Sequence, residues 1–77
     1  MPTIFREKGF RFVINTDDHS PAHVHVFYGG NEMVIEIEAT VQIRDNWGLN
    51  RRDQAIARLI ATENLESFRS EWRNIHG

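Results

Sequence analysis

The hydrophobic positions in the first half of the chain fall in short runs that are typical of β-strands. Residues 3–6 and 10–14 are rich in aromatic and β-branched side chains, and only Glu7-Lys8-Gly9 separates them. This pattern predicts a β-hairpin. The next segment, residues 15–21, contains Asn, Asp, Ser and Pro, which favour turns, so a loop is expected there.

A second hairpin is predicted from two further alternating segments. Apolar and polar residues alternate over 23–27 and again from Met33 onward, and Gly29-Gly30 or Gly30-Asn31 can form the turn between them. The second alternation continues to residue 44, which favours one long strand, bulged or bent along its length. The polar residues 45–48 are expected to end this strand in a turn.

After residue 48 the spacing of apolar residues changes from two to about 3.6, which marks the change from sheet to helix. Asn50 is predicted to cap a first helix and Asn64 a second. The predicted apolar stripes are Ala55, Ile56, Leu59 and Ile60 in the first helix and Leu65, Phe68, Trp72 and Ile75 in the second. Both stripes are expected to cover one face of the sheet.

These elements predict an α+β domain in which an antiparallel sheet of three to four strands is followed by two C-terminal helices packed on one face. A chain of 77 residues is near the lower limit for independent folding, so we expect a single domain over residues 1–77. The sheet is expected at about 3–44 and the helices at about 51–75. A bound metal or a homodimer partner would add to the modest stability of a domain of this size.

Composition narrows the chemistry that the chain can perform. The absence of cysteine excludes disulfides and thiolate metal ligands, so any metal would be bound by His, Asp or Glu. No apolar run has membrane-spanning length and the N-terminus lacks a signal-peptide pattern, so we expect a cytoplasmic protein without a membrane partner. The net charge of -2 indicates no general affinity for nucleic acid.

Three of the four histidines lie within residues 17–25. Because side chains alternate across a strand, Val24 and Val26 share the buried face with the apolar residues of the following strand only if the turn is even. That register places His23 and His25 on the opposite face, which is expected to be exposed. It also puts Glu36 directly across from one of the two histidines.

These side chains suggest either metal binding or acid-base catalysis. His23, His25 and Glu36 are the predicted ligands of zinc or another divalent metal, and Asp18 and His19 in the preceding loop can extend the set. Alternatively, His23 and His25 act as base and acid on a phosphodiester with help from His19, because imidazole titrates near neutral pH. In the simplest alternative, the histidines are only the polar side of an amphipathic strand.

Arg51 and Arg52 are the predicted phosphate-binding residues. They lie at the start of the first helix, where positive charge is mildly unfavourable, and this mismatch indicates a use beyond helix stability. A solvated helix face is the alternative for both. No arrangement of Ser, Cys or Lys indicates covalent catalysis.

The stretch Asp18-His19-Ser20-Pro21-Ala22-His23-Val24-His25-Val26 resembles the hallmark of a family of small bacterial proteins, domain of unknown function 4160. Further matching features are Pro2-Thr3-Ile4-Phe5, Tyr28-Gly29-Gly30, Gly48-Leu49 before Arg51-Arg52, and the ending from Trp72 to His76. The resemblance covers the whole chain and implies hallmark roles for His19, His23 and His25. Relatives carry a polar residue in place of Trp47, so no special role is predicted for it.

The family has no settled activity, but the resemblance implies a gene pair with another small protein, as in toxin-antitoxin systems. One hypothesis is therefore a toxin-like component whose histidine cluster acts on or binds RNA, phosphate or a metal. The second hypothesis is a non-catalytic module that binds a small cognate partner protein through an exposed sheet face or edge strand.

Overall fold

The computed structural model describes residues 3–77, so Pro2 of the resemblance lies outside the described part of the chain. The strands are β1 (Thr3–Glu7), β2 (Phe10–Val13), β3 (His23–Tyr28), β4 (Asn31–Glu36) and β5 (Gln42–Trp47), and the helices are α1 (Arg51–Glu63) and α2 (Leu65–His76). All neighbouring strands are antiparallel and lie in chain order. The α+β class with two C-terminal helices is confirmed, whereas the sheet has five strands and not three to four.

The fifth strand forms where one long strand is predicted. The chain bends at residues 38–40 and reverses, so that Gln42 pairs with Glu36 and Trp47 pairs with Glu32. Residues 45–47, predicted as a turn, therefore belong to β5. Side chains alternate with a period of two whether a strand continues or folds back, so the hydrophobic pattern does not reveal the reversal.

Two-residue turns form both predicted hairpins. Lys8 and Gly9 have φ values of 52° and 85°, and Gly29 and Gly30 have values of 56° and 80°. Positive φ at both central positions belongs to the turn class whose twist matches that of antiparallel strands. The even turn at Gly29-Gly30 produces the predicted register between β3 and β4.

The register buries the predicted face of β3 and β4. Val24 pairs with Ile35 and Val26 pairs with Met33, and all four side chains are fully buried. The hydrophobic core joins them to residues of β2, to the residue that follows β2 and to residues of both helices, namely Phe10, Phe12, Ile14, Ala57, Ile60, Ala61, Phe68 and Trp72. Both helices thus contribute to one core against one face of the sheet.

The connection between the helices is a single residue, and it differs from the prediction. Asn50 caps α1 as predicted, because its Oδ1 accepts a hydrogen bond from the Asp53 N–H at 2.8 Å. Asn64 makes no side-chain cap for α2. Its Nδ2 instead donates to the Ile60 carbonyl at 2.8 Å, which also accepts from the Asn64 backbone N–H at 3.1 Å.

The predicted stripe of α2 is confirmed, whereas that of α1 is displaced. In α1 the buried residues are Ala57, Ile60 and Ala61, while Leu59 is 57% exposed. The predicted stripe and the observed buried residues both include Ile60, and both have helical spacing. Periodicity alone therefore does not distinguish them. Neither described helix is long and apolar enough to cross a membrane.

Candidate metal centre

The loop between β2 and β3 carries Asp18, and two hydrogen bonds with Asn15 hold it. The Asn15 N–H donates to Asp18 Oδ2 at 3.0 Å, and the Asp18 N–H donates to the Asn15 carbonyl at 3.2 Å. The Asp18 side chain thus accepts a hydrogen bond from the backbone of a residue close in sequence, which is common for Asp in turns. The loop thereby brings the Asp18 carboxyl group to the histidines of β3.

His23 and His25 direct their Nε2 atoms toward the same carboxylate oxygen. Asp18 Oδ2 is 3.1 Å from His25 Nε2 and 3.5 Å from His23 Nε2. One ligand atom from each of the three residues lies within 4.8 Å of the others. Two imidazoles and a carboxylate are a common ligand set for zinc and other divalent transition metals.

The other ring nitrogens of both histidines have acceptors of their own. His23 Nδ1 lies 2.9 Å from the Pro21 carbonyl, and His25 Nδ1 lies 3.1 Å from Glu32 Oε2. A carbonyl only accepts, so His23 carries a proton on Nδ1, and its Nε2 is the ring nitrogen that faces Asp18. Metal-ligating histidines usually have such an outer acceptor, which orients the ring.

The cluster is less exposed than predicted. His23 is only 4% exposed, so the expectation of an exposed histidine face is wrong for this residue, and His25 is half-buried. Trp72 of α2 lies against His23, with ring centroids 5.2 Å apart, and Asp18 Oδ2 lies 3.5 Å from His23 Nε2. His76 in turn stacks on Trp72 with a centroid distance of 3.8 Å.

The electrostatics of the cluster keep Asp18 ionised. Burial acts to raise the pKa of the Asp18 carboxyl group, but the hydrogen bond from the Asn15 backbone opposes it, as do the charges of His25 and His23. The net result is a pKa below the usual 3.8. Asp18 is therefore a carboxylate at neutral pH, which is the form that binds a metal ion.

The predicted ligand Glu36 lies opposite His23 in the sheet register, as expected, but is not part of the three-residue cluster. Glu32 contacts His25 instead. It sits diagonally across the strand pair, since His25 pairs with Val34 and Glu32 lies two residues before Val34. Long side chains can reach their diagonal neighbours across a strand pair. The contact between Glu32 and His25 could therefore have been predicted from the register.

The remaining predicted site residues lie apart from the cluster. His19 is exposed and is not a member of the group. Arg51 and Arg52 are exposed at the start of α1. This helix follows the end of β5 that pairs with Glu32, whereas His23 pairs at the other end of β4. Phosphate binding by the two arginines stays a prediction.

Comparisons with known proteins identify a family. The family described as a domain of unknown function, DUF4160, matches residues 9–73. No curated protein and no solved structure matches the chain.

Proposed function

The chain belongs to the DUF4160 family, and we propose that this member binds one divalent transition-metal ion, zinc foremost, through Asp18, His23 and His25. The observation that carries the proposal is the orientation of the two imidazoles. Both Nε2 atoms face one Asp18 oxygen, and both Nδ1 atoms face outer acceptors. This is the arrangement expected of metal-binding histidines with their second shell.

The distances support a single ion between the three side chains. Zinc bonds of about 2.0–2.1 Å in a tetrahedral site require neighbouring ligand atoms about 3.3 Å apart. The Asp18 oxygen is 3.1 and 3.5 Å from the two Nε2 atoms. The ligand atoms of the three residues lie within 4.8 Å of one another, so the two imidazoles must approach each other by up to about 1.5 Å to hold one ion together with Asp18.

The charge of the surrounding face favours a cation over a phosphate. The strand face that bears the histidines also bears the carboxylates of Glu32, Glu36 and Asp45, whereas the described basic residues in the same rows are Arg6 and Arg11, which pair with each other. The carboxylates and the phosphates of RNA are both negatively charged and repel each other. This repulsion lowers the concentration of RNA near the histidine face. Metal binding is therefore better supported by this face than direct acid-base chemistry on RNA.

Three protein ligands leave a fourth coordination position open, as in catalytic zinc sites. A water molecule bound at such a position can act as a nucleophile in hydrolysis at neutral pH. The proposal thus includes a hydrolytic activity within a toxin-antitoxin-like pair. Asp18, His23 and His25 hold the ion in this proposal, and Glu32 orients His25.

The direct test is calorimetric titration of metal-free protein with zinc, nickel and manganese ions, alongside the double variant His23→Ala, His25→Ala. We expect about one zinc ion per chain, weaker binding of manganese because imidazole is a poor ligand for it, and no measurable binding by the double variant. His19→Ala is the matched control and should bind zinc like the wild type. Equal zinc binding by the double variant would disprove the proposed site.

A second candidate function is docking of a small partner protein on β5. This strand is exposed along its length and pairs only with β4, so its other edge is unpaired in the described chain. Trp47 in β5 is 56% exposed. Unpaired strands accept partner strands by backbone hydrogen bonding, and exposed Trp is often the residue that dominates binding energy.

We expect Trp47→Lys to weaken association with the small protein encoded beside this chain by at least about tenfold. Leu59→Lys changes an equally exposed apolar residue on α1 and should alter affinity by less than about twofold. Co-expression followed by a binding titration of the purified proteins measures both. If both variants bind equally well, β5 is not the docking strand.

A further inference from the structure

A small cavity lies between α2 and the segments that flank β3 and β4. It has a volume of about 180 Å³ and is lined by Ala22, Ile37, Glu38, Arg69, Trp72 and Arg73. Its strand side is held together by two hydrogen bonds at 2.8 Å, from the Ile37 N–H to the Ala22 carbonyl and from the Ala22 N–H to Glu38 Oε1. We infer that this cavity binds a small organic anion that carries a ring or another compact apolar group.

The anion is indicated by the charges at the rim. Two guanidinium groups and one carboxylate line the cavity, and the charge of one guanidinium, that of Arg69, is offset by Glu66 outside the cavity. Arg69 is already engaged, because it donates to the Ile37 carbonyl at 2.8 Å, to the Ala39 carbonyl at 3.2 Å and to Glu66 at 3.0 Å. Its position is therefore fixed by the protein itself.

Arg73 is the group available to a ligand. It is exposed, and its side chain forms no hydrogen bond or ion pair with residues 3–77. The planar guanidinium can bind a carboxylate or phosphate through two parallel hydrogen bonds. A ligand anion thus meets Arg73 directly.

The apolar residues that line the cavity indicate that the ligand also has an apolar part. Ala22 and Trp72 are 5% and 9% exposed, whereas Ile37 is fully buried, so a ligand in the cavity contacts the apolar surfaces of Ala22 and Trp72. A volume of this size corresponds to about six water molecules in the liquid. It accommodates one ring or a short aliphatic group and excludes a complete dinucleotide. Benzoate and phenyl phosphate have the required size and charge.

Trp72 provides the measurement, because it lines this cavity. Replacement of the exposed Trp47 with Phe leaves Trp72 as the single tryptophan. In metal-free protein of this background, we expect benzoate and phenyl phosphate to change Trp72 fluorescence saturably, with Kd values of about 0.1–5 mM. The neutral analogue benzyl alcohol should bind at least about tenfold more weakly.

Two charge variants make the assignment specific. Arg73→Gln should weaken benzoate binding by about tenfold or more, whereas Arg6→Gln, which changes an exposed arginine of β1 outside the cavity, should have no effect beyond about twofold. Glu38→Gln keeps an oxygen that accepts from the Ala22 N–H and removes the negative charge, so binding should tighten several-fold.

The inference fails if benzoate does not bind at tens of millimolar, if benzyl alcohol binds equally well, or if Arg73→Gln and Arg6→Gln behave alike. None of these outcomes depends on the metal, because the titrations use metal-free protein. The anion site is therefore tested independently of the zinc site. Failure of either proposal would not contradict the other.

Discussion

Replacement of Asp18 with Asn is expected to lower zinc affinity by more than about 100-fold. Asp18 Oδ2 is the single atom that both histidine Nε2 atoms face, at 3.1 and 3.5 Å. The Asn side chain has nearly the same size, so it preserves the turn with Asn15 but removes the negative charge that binds the cation. Loss of an outer-shell partner already reduces metal affinity by about 10–100-fold, and loss of a direct ligand should exceed this.

Two glutamates on the same face are the matched controls. Glu36→Gln removes the carboxylate opposite His23 and should change zinc affinity by less than about twofold, because Glu36 is not in the cluster. Glu32→Gln removes the charged acceptor of His25 Nδ1 and should give an intermediate loss of about 10–100-fold. Competition titration with a chromogenic chelator measures all three variants. If Glu36→Gln lowered zinc affinity more than Asp18→Asn, the metal ligand would be Glu36 and not Asp18.

Phe68→Ala is expected to destabilise the domain by about 3–5 kcal/mol, as large truncations of buried aromatic residues do. Phe68 is 1% exposed and packs against Phe12 and Phe5, with ring centroids 5.2 and 5.7 Å away. It thereby joins α2 to β1 and β2. Natural domains have about 0.05–0.15 kcal/mol of stability per residue, which is about 4–12 kcal/mol for 77 residues, so the expected loss is a large share of the total.

Urea unfolding followed by far-ultraviolet circular dichroism measures this loss. Leu59→Ala removes an apolar side chain of similar volume that is 57% exposed, and it should change the free energy of unfolding by less than about 0.5 kcal/mol. Similar midpoints for the two variants would mean that Phe68 is not part of the stabilising core. Bound zinc should raise the midpoint of the wild type, because it binds the folded state.

The local features of the fold were predictable because neighbouring residues determine them. The two-residue turn at Gly29-Gly30 requires positive φ at both positions, which glycine adopts readily. Once that turn is even, the face of every residue in β3 and β4 follows from alternation, including the shared face of His23 and His25. The cap at Asn50 is equally local, since it joins residues three apart.

The reversal before β5 and the position of the α1 stripe could not be predicted in the same way. A strand that folds back retains the period of a continuous strand, and Ala57 and Ala61 continue the helical spacing of Ile60 as well as the predicted stripe does. In both cases the pattern allows two arrangements. Packing against the rest of the core selects one of them.

The sequence by itself determined that two histidines share one face of a strand, with Glu36 across from one of them, and the turn at Gly29-Gly30 makes that partner His23. The tertiary structure alone decided which carboxylate joins them. Asp18 reaches both Nε2 atoms because the loop after β2 folds back over β3, and Trp72 buries His23 because α2 packs there. Neither contact has a periodic signal, since loop paths and helix docking are set by the packing of residues distant in the chain.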